Sequence, residues 1–168
     1  YSGMPDDPKG EGFKAIKKAM DRIENASDME AKLIQALHIL YDKDTYPDAK
    51  RRDQAYLAEM RKLNRDYPND PDIAALYASS YMSIQRWNYW GDQGEPISET
   101  LAVAEALEHI MSKDLSHPGV LHLHIHLIEA SAEPERALVA ADNLEKTIPI
   151  VGHVGHMPSH IYVRVGQY

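Results

Sequence analysis

Residues 118–151 read PGVLHLHIHLIEASAEPERALVAADNLEKTIPIV. Pro118 suits the first turn of a helix, where its missing N–H would have had no partner. Pro149 cannot continue a helix and marks the end of a second one. The stretch therefore predicts two helices, over 118–131 and 134–147, joined by a turn at Pro134. It is 34 residues long, a period at which helix pairs recur.

The same pattern extends outward. Phe13, Ile16, Ala19, Met20 and Ile23 predict a helix over 11–25. Ser27 or Asp28 is suited to cap the next one, whose apolar face is Leu33, Ala36, Leu37 and Leu40. Pro47 is expected to open a long helix reaching Asp66, with Tyr56, Leu57, Met60 and Leu63 on one side. The run Tyr67-Pro68-Asn69-Asp70-Pro71 stops it, since two prolines and an Asn/Asp pair favour turns. Further helices are expected over 71–87 and 97–113, and a last one beginning between 153 and 158. Alternating β-branched runs are missing. The expectation is an all-α chain of about seven to eight helices.

Composition excludes several functions. The chain has 168 residues, 18 Lys+Arg against 26 Asp+Glu, and a net charge of -8. That balance argues against a nucleic-acid partner, which requires clustered cations. There is no cysteine, so disulfides, thiolate metal sites and a thiol nucleophile are excluded. No apolar run reaches the ~18 residues of a membrane span. The chain starts at Tyr1 without Met and stops at Tyr168 inside an expected helix, so it reads as a piece of a longer protein.

With Pro118 as first residue, Ala137 falls at place 20, Ala141 at 24, Leu144 at 27 and Pro149 at 32. A block starting at Gly152 puts Ser159 at place 8 and Tyr162 at place 11, and one starting at Pro71 does the same with Ala78 and Tyr81. On these residues the chain resembles the tetratricopeptide repeat family over 28–168. The resemblance implies a single domain over 1–168, wound as a right-handed α-α superhelix, a solenoid. Two blocks depart from it. Pro71 and Pro118 are 47 residues apart, and the excess lies in Trp87-Asn88-Tyr89-Trp90-Gly91-Asp92-Gln93-Gly94-Glu95-Pro96. The block near Met29 is also long.

In such solenoids the first helix of each repeat lines a concave groove, with places 2, 5, 9 and 12 facing it. In this register those places hold His122, His126 and Glu129 in one repeat, and His153, His156 and His160 in the next. No histidine was used to set the register. His122 and His126 are four apart and share a face, as do His156 and His160. Neighbouring helices lie roughly 8–10 Å apart, so imidazoles from both can meet. Neutral imidazoles with a carboxylate suit Zn²⁺, Cu²⁺, Ni²⁺ or Fe²⁺. The expected metal ligands are His122, His126, His156 and His160, with a divalent zinc, copper or nickel ion as cofactor. Glu129 is a ligand, an acceptor for a ring N–H, or a general base.

A structural reading stands beside this one, in which the histidines bond to carbonyls and to one another and Glu129 pairs with Arg164. Pro158 argues that the last helix starts near it, leaving His153 and His156 in a turn. His124, at place 7, is expected in the core, and His117 is expected to cap or orient the turn before Pro118. Trp87, Tyr89 and Trp90 either seal the end of the stack or wall the groove.

The segments His117-Pro118-Gly119, His122-x3-His126-x2-Glu129-Ala130-Ser131, Pro134-Glu135-Arg136-Ala137 and Gly152-His153-x2-His156-Met157-Pro158-x-His160 also resemble a group of bacterial tetratricopeptide proteins of unassigned function. That resemblance implies longer chains, an exported or periplasmic setting, and a His/Glu set that belongs to the group's pattern.

Two functions compete. One is a binding or scaffold module that takes a protein or peptide in a groove lined by His122, His126, Glu129, His153, His156, His160 and Arg164, with Ala75, Ser79 and Met82 contributed by an earlier repeat. Such a groove is also expected to accept a metal ion or a small polar ligand. The other is a metal-dependent hydrolase in which Glu129 activates water, or a metal-storage or sensing protein on the same cluster. H-E-x-x-H and G-x-S-x-G are both absent, so no motif compels catalysis.

Overall fold

The structure is a computed structural model and describes residues 10–147 and 152–167. Its elements are α1 (Glu11–Met20), α2 (Asp28–Tyr41), α3 (Ala49–Asp66), α4 (Pro71–Gln85), α5 (Thr100–Met111), α6 (Pro118–Ile128), α7 (Leu138–Thr147) and α8 (Gly152–Val165). Single 3-10 turns at Ile23–Asn25 and Pro134–Ala137 precede α2 and α7. The described residues are all-helical; the isolated bridge between Trp90 and Pro96 is the sole strand-like pairing among them. No helix among them is long and apolar enough to cross a membrane. Pro149 lies outside the described residues.

Local chemistry accounts for the helix starts. Ser27 caps α2 in a full capping box with Glu30. Asp48, rather than Pro47, caps α3, because its side chain accepts from the Arg51 N–H and Pro47 falls outside the helix. Asp70 caps α4 in the same way, with Pro71 in the first turn. The helix expected over 134–147 starts with a 3-10 turn, and α5 starts at Thr100 rather than at residue 97.

The last helix departs from expectation. α8 is continuous from Gly152 with Pro158 inside it, so His153 and His156 are helical rather than in a turn. Pro158 removes one backbone N–H and crowds the carbonyl four residues back, a cost of ~3 kcal/mol for an exposed helix interior. Pro158 and its neighbour Met157 are both buried, however, and that burial opposes the local penalty. α8 then ends at Val165. Gly166 adopts the left-handed conformation (φ 75°) and the Gln167 N–H reaches the Tyr162 carbonyl at 2.8 Å, a Schellman closure that stops the helix before residue 168.

The chain packs as two compact units, one up to Pro68 and one from Asn69. In the first, α1 packs on α2 and α2 on α3. In the second, each of α4 to α8 packs on the next, and α6 also contacts both α4 and α8. The second unit holds Ala78, Tyr81, Ala137, Ala141 and Leu144 in its core. Ser159 is exposed, and Tyr162 donates its hydroxyl to Asp142 at 2.8 Å. Met82, expected in the groove, is buried instead.

Candidate metal centre

α6 and α8 carry the site. His117 starts α6 as expected: its Nδ1 accepts from the Val120 N–H at 3.1 Å, and its Nε2 lies 3.1 Å from Asp72. Most of α6 is apolar and buried, including Leu121, Leu123, Ile125, Leu127 and Ile128. The histidines at 122, 124 and 126 alternate around this core. His124 points inward, fully buried, with Nε2 3.1 Å from the Glu108 carboxylate, which Arg136 also holds at 2.8 Å. That is the expected core histidine, although its Nδ1 has no hydrogen-bond partner among the described residues.

On the other face His122 and His126 meet α8. The His122 and His126 rings are 4.8 Å apart, His122 and His153 5.1 Å, and His126 and His153 6.0 Å. His122 Nε2 and His153 Nε2 are 3.2 Å apart. The chain of rings continues from His153 to His156 at 4.9 Å and to His160 at 5.2 Å. These five histidines thus form one contiguous cluster. Within it, one ring nitrogen each from His122, His126 and His153 lie within 4.8 Å of one another. His156 and His160 are outside that close trio, whereas His153 is inside it.

Glu129, at the C-cap of α6, orients two of these rings. Its Oε1 lies 3.1 Å from His126 Nδ1 and its Oε2 2.5 Å from His160 Nδ1. Burial pushes the Glu129 carboxyl up, but the hydrogen bonds from His126 and His160 outweigh it and hold the group below the usual glutamate value. An ionised carboxylate only accepts, so both Nδ1 atoms carry a proton, and in the neutral imidazole each Nε2 then holds the lone pair that a metal needs. Arg164, expected in the groove and as an alternative partner for Glu129, instead donates to the Ser131 carbonyl at 3.4 Å.

Two of the three, His122 and His153, are biased toward the neutral form. Burial first, then the neighbouring imidazoles, pushes His122 down to about 4. His153 is lowered for the same reasons. Neutral imidazole is the form that ligates a metal.

The aromatic insert forms a wall. Trp87 sets its ring edge-on to His126 at 5.1 Å, half-exposed, and Trp90 donates its indole N–H to the Leu127 carbonyl at 2.6 Å. Tyr89 is buried. Arg86 and Trp87 place Trp87 there through consecutive left-handed backbone conformations (φ 39° and 69°). Such geometry is costly for side chains with a Cβ, and no residue-type signal in the sequence announces it.

In comparison with known proteins, the chain matches no family model, no curated protein and no solved structure.

Proposed function

We propose that this chain is a tetratricopeptide-like binding module in which His122, His126 and His153 hold a divalent transition metal ion, zinc, copper or nickel. One observation carries the reading: three ligating nitrogens from two helices lie within 4.8 Å of one another. Ligands at about 2.0–2.1 Å from a tetrahedral ion are about 3.3–3.4 Å apart. The His122–His153 pair, at 3.2 Å, already has that separation, so a small inward turn of His126 completes the set. Glu129 supplies the carboxylate that fixes the tautomer of a ligating imidazole.

Packing supports the repeat part of the proposal. α6 contacts both α4 and α8 across the intervening helices, as first helices of stacked repeats do. Three protein ligands leave a fourth position for a donor from a peptide or protein in the groove. An exported setting, implied by the resemblance, suits a site built without thiols. Catalysis by Glu129 is the weaker reading, because both its oxygens already serve imidazoles.

The test is calorimetry and thermal shift of chelator-treated protein with Zn²⁺, Ni²⁺ and Cu²⁺. Saturable binding that weakens at least tenfold in His122→Ala and in His153→Ala supports the reading. Absence of binding by all three ions, or affinity indifferent to both substitutions, overturns it.

A further inference from the structure

We propose that His156 and His160 form a second position for a divalent transition metal ion, beside the one held by the trio. The inference rests on the reading above for its neighbour and on separate observations for itself. The two residues are four apart on α8 and share a face. Their ring centroids are 5.2 Å apart, so a modest turn of the rings brings both Nε2 atoms onto one ion.

Both rings are also held in the ligating tautomer. His156 Nδ1 lies 3.3 Å from the Gly152 carbonyl, and His160 Nδ1 lies 2.5 Å from Glu129 Oε2. Carbonyl and carboxylate oxygens only accept, so each Nδ1 carries a proton, and the neutral imidazole presents its lone pair at Nε2. The second position is accessible, because His156 is exposed and His160 is partly so.

Charge sets the order of filling. Two dications side by side repel, and the imidazoles are neutral donors that offset none of this. Glu129 supplies a negative charge in contact with both sets, through His126 and through His160. The trio has three ligands and fills first. The His156/His160 pair has two, completes its shell with water, and binds more weakly. The ion for such a pair is Zn²⁺, Ni²⁺ or Cu²⁺, the borderline acids that imidazole suits.

The experiment is native mass spectrometry with Zn²⁺ titration calorimetry on the full chain, its His122→Ala variant and its His156→Ala variant. Both side chains reach solvent, so both variants retain the core. The expected result is two ions per wild-type chain, the second at least tenfold weaker. His156→Ala then loses only the weaker ion, and His122→Ala mainly the tighter one. A single ion lost in His122→Ala and unaffected by His156→Ala overturns the second position and leaves the trio standing. A single ion with the reverse dependence overturns the trio and supports the pair. A single ion weakened by both substitutions means all five rings share one centre and also overturns the second position. If no ion binds, both proposals fail.

Discussion

Glu129 joins two helices through one carboxylate: Oε1 meets His126 of α6 at 3.1 Å and Oε2 meets His160 of α8 at 2.5 Å. A glutamine there has one acceptor oxygen and one donor group, so only one of the two rings keeps its tautomer. Glu129→Gln is expected to lower Zn²⁺ affinity about 10–100-fold, the usual effect of losing such an orienting carboxylate. Calorimetry at neutral pH measures it, and unchanged affinity would show that Glu129 orients neither ligand.

His122 makes the fold acid-sensitive. Burial and the surrounding imidazoles depress its pKa to about 4, whereas the unfolded value is about 6.5. Above both values neither state holds the proton. Between them only the unfolded chain does, so stability falls as pH drops through that window. The depressed Glu129 carboxyl acts in the same direction, its contribution being lost as pH falls through its folded value. Metal-free protein should lose roughly 1–2 kcal/mol between pH 7 and pH 5, after screening of a partly exposed ring. In His122→Asn most of that dependence disappears. Urea unfolding at the two pH values checks it, and parallel losses in both proteins would contradict the assignment.

Trp87 lies 5.1 Å from His126, so it should report on the site. Paramagnetic Cu²⁺ is expected to quench tryptophan emission on binding. Most of the quench should vanish in Trp87→Phe and survive in Trp90→Phe. The opposite pattern would place the ion away from this wall.

The core of the second unit makes a separate prediction. Leu144 is fully buried, whereas Val139 on the same helix is 50% exposed. Leu144→Ala should cost about 2–5 kcal/mol, and Val139→Ala should stay within about 0.5 kcal/mol. Denaturant midpoints at matched slopes separate the two.

The helices and the histidine surface were largely legible from residue spacing. Ala137 and the proline at position 149 set a register, and that register placed six His/Glu side chains where they do gather. The His117 cap and the buried His124 followed from the Pro118 junction and from helical phase. Membership of the close trio was not legible, because the choice of His153 over His156 and His160 depends on the axial offset of α8 against α6, which spacing along one helix does not encode. Pro158 signals a helix start by the local rule for proline, whereas the burial of Met157 and Pro158, which the sequence does not show locally, accompanies a helix that runs through it. The placement of Trp87 beside His126 has no sequence signal, since left-handed Arg86 and Trp87 have no glycine to announce them.

α6 and α8 differ in how deeply they are set, and that difference bears on local opening. α6 is buried along nearly its whole length, whereas Met157, Pro158 and Ile161 are the buried residues of α8. Amide exchange in α6 should therefore require opening of the whole unit, while α8 can detach and exchange at lower free energy. An ion bound across His122, His126 and His153 fastens the shallow helix to the deep one. Loading should slow exchange in α8 and leave α6 nearly unchanged, so that the ion acts as a clasp on the edge of the fold.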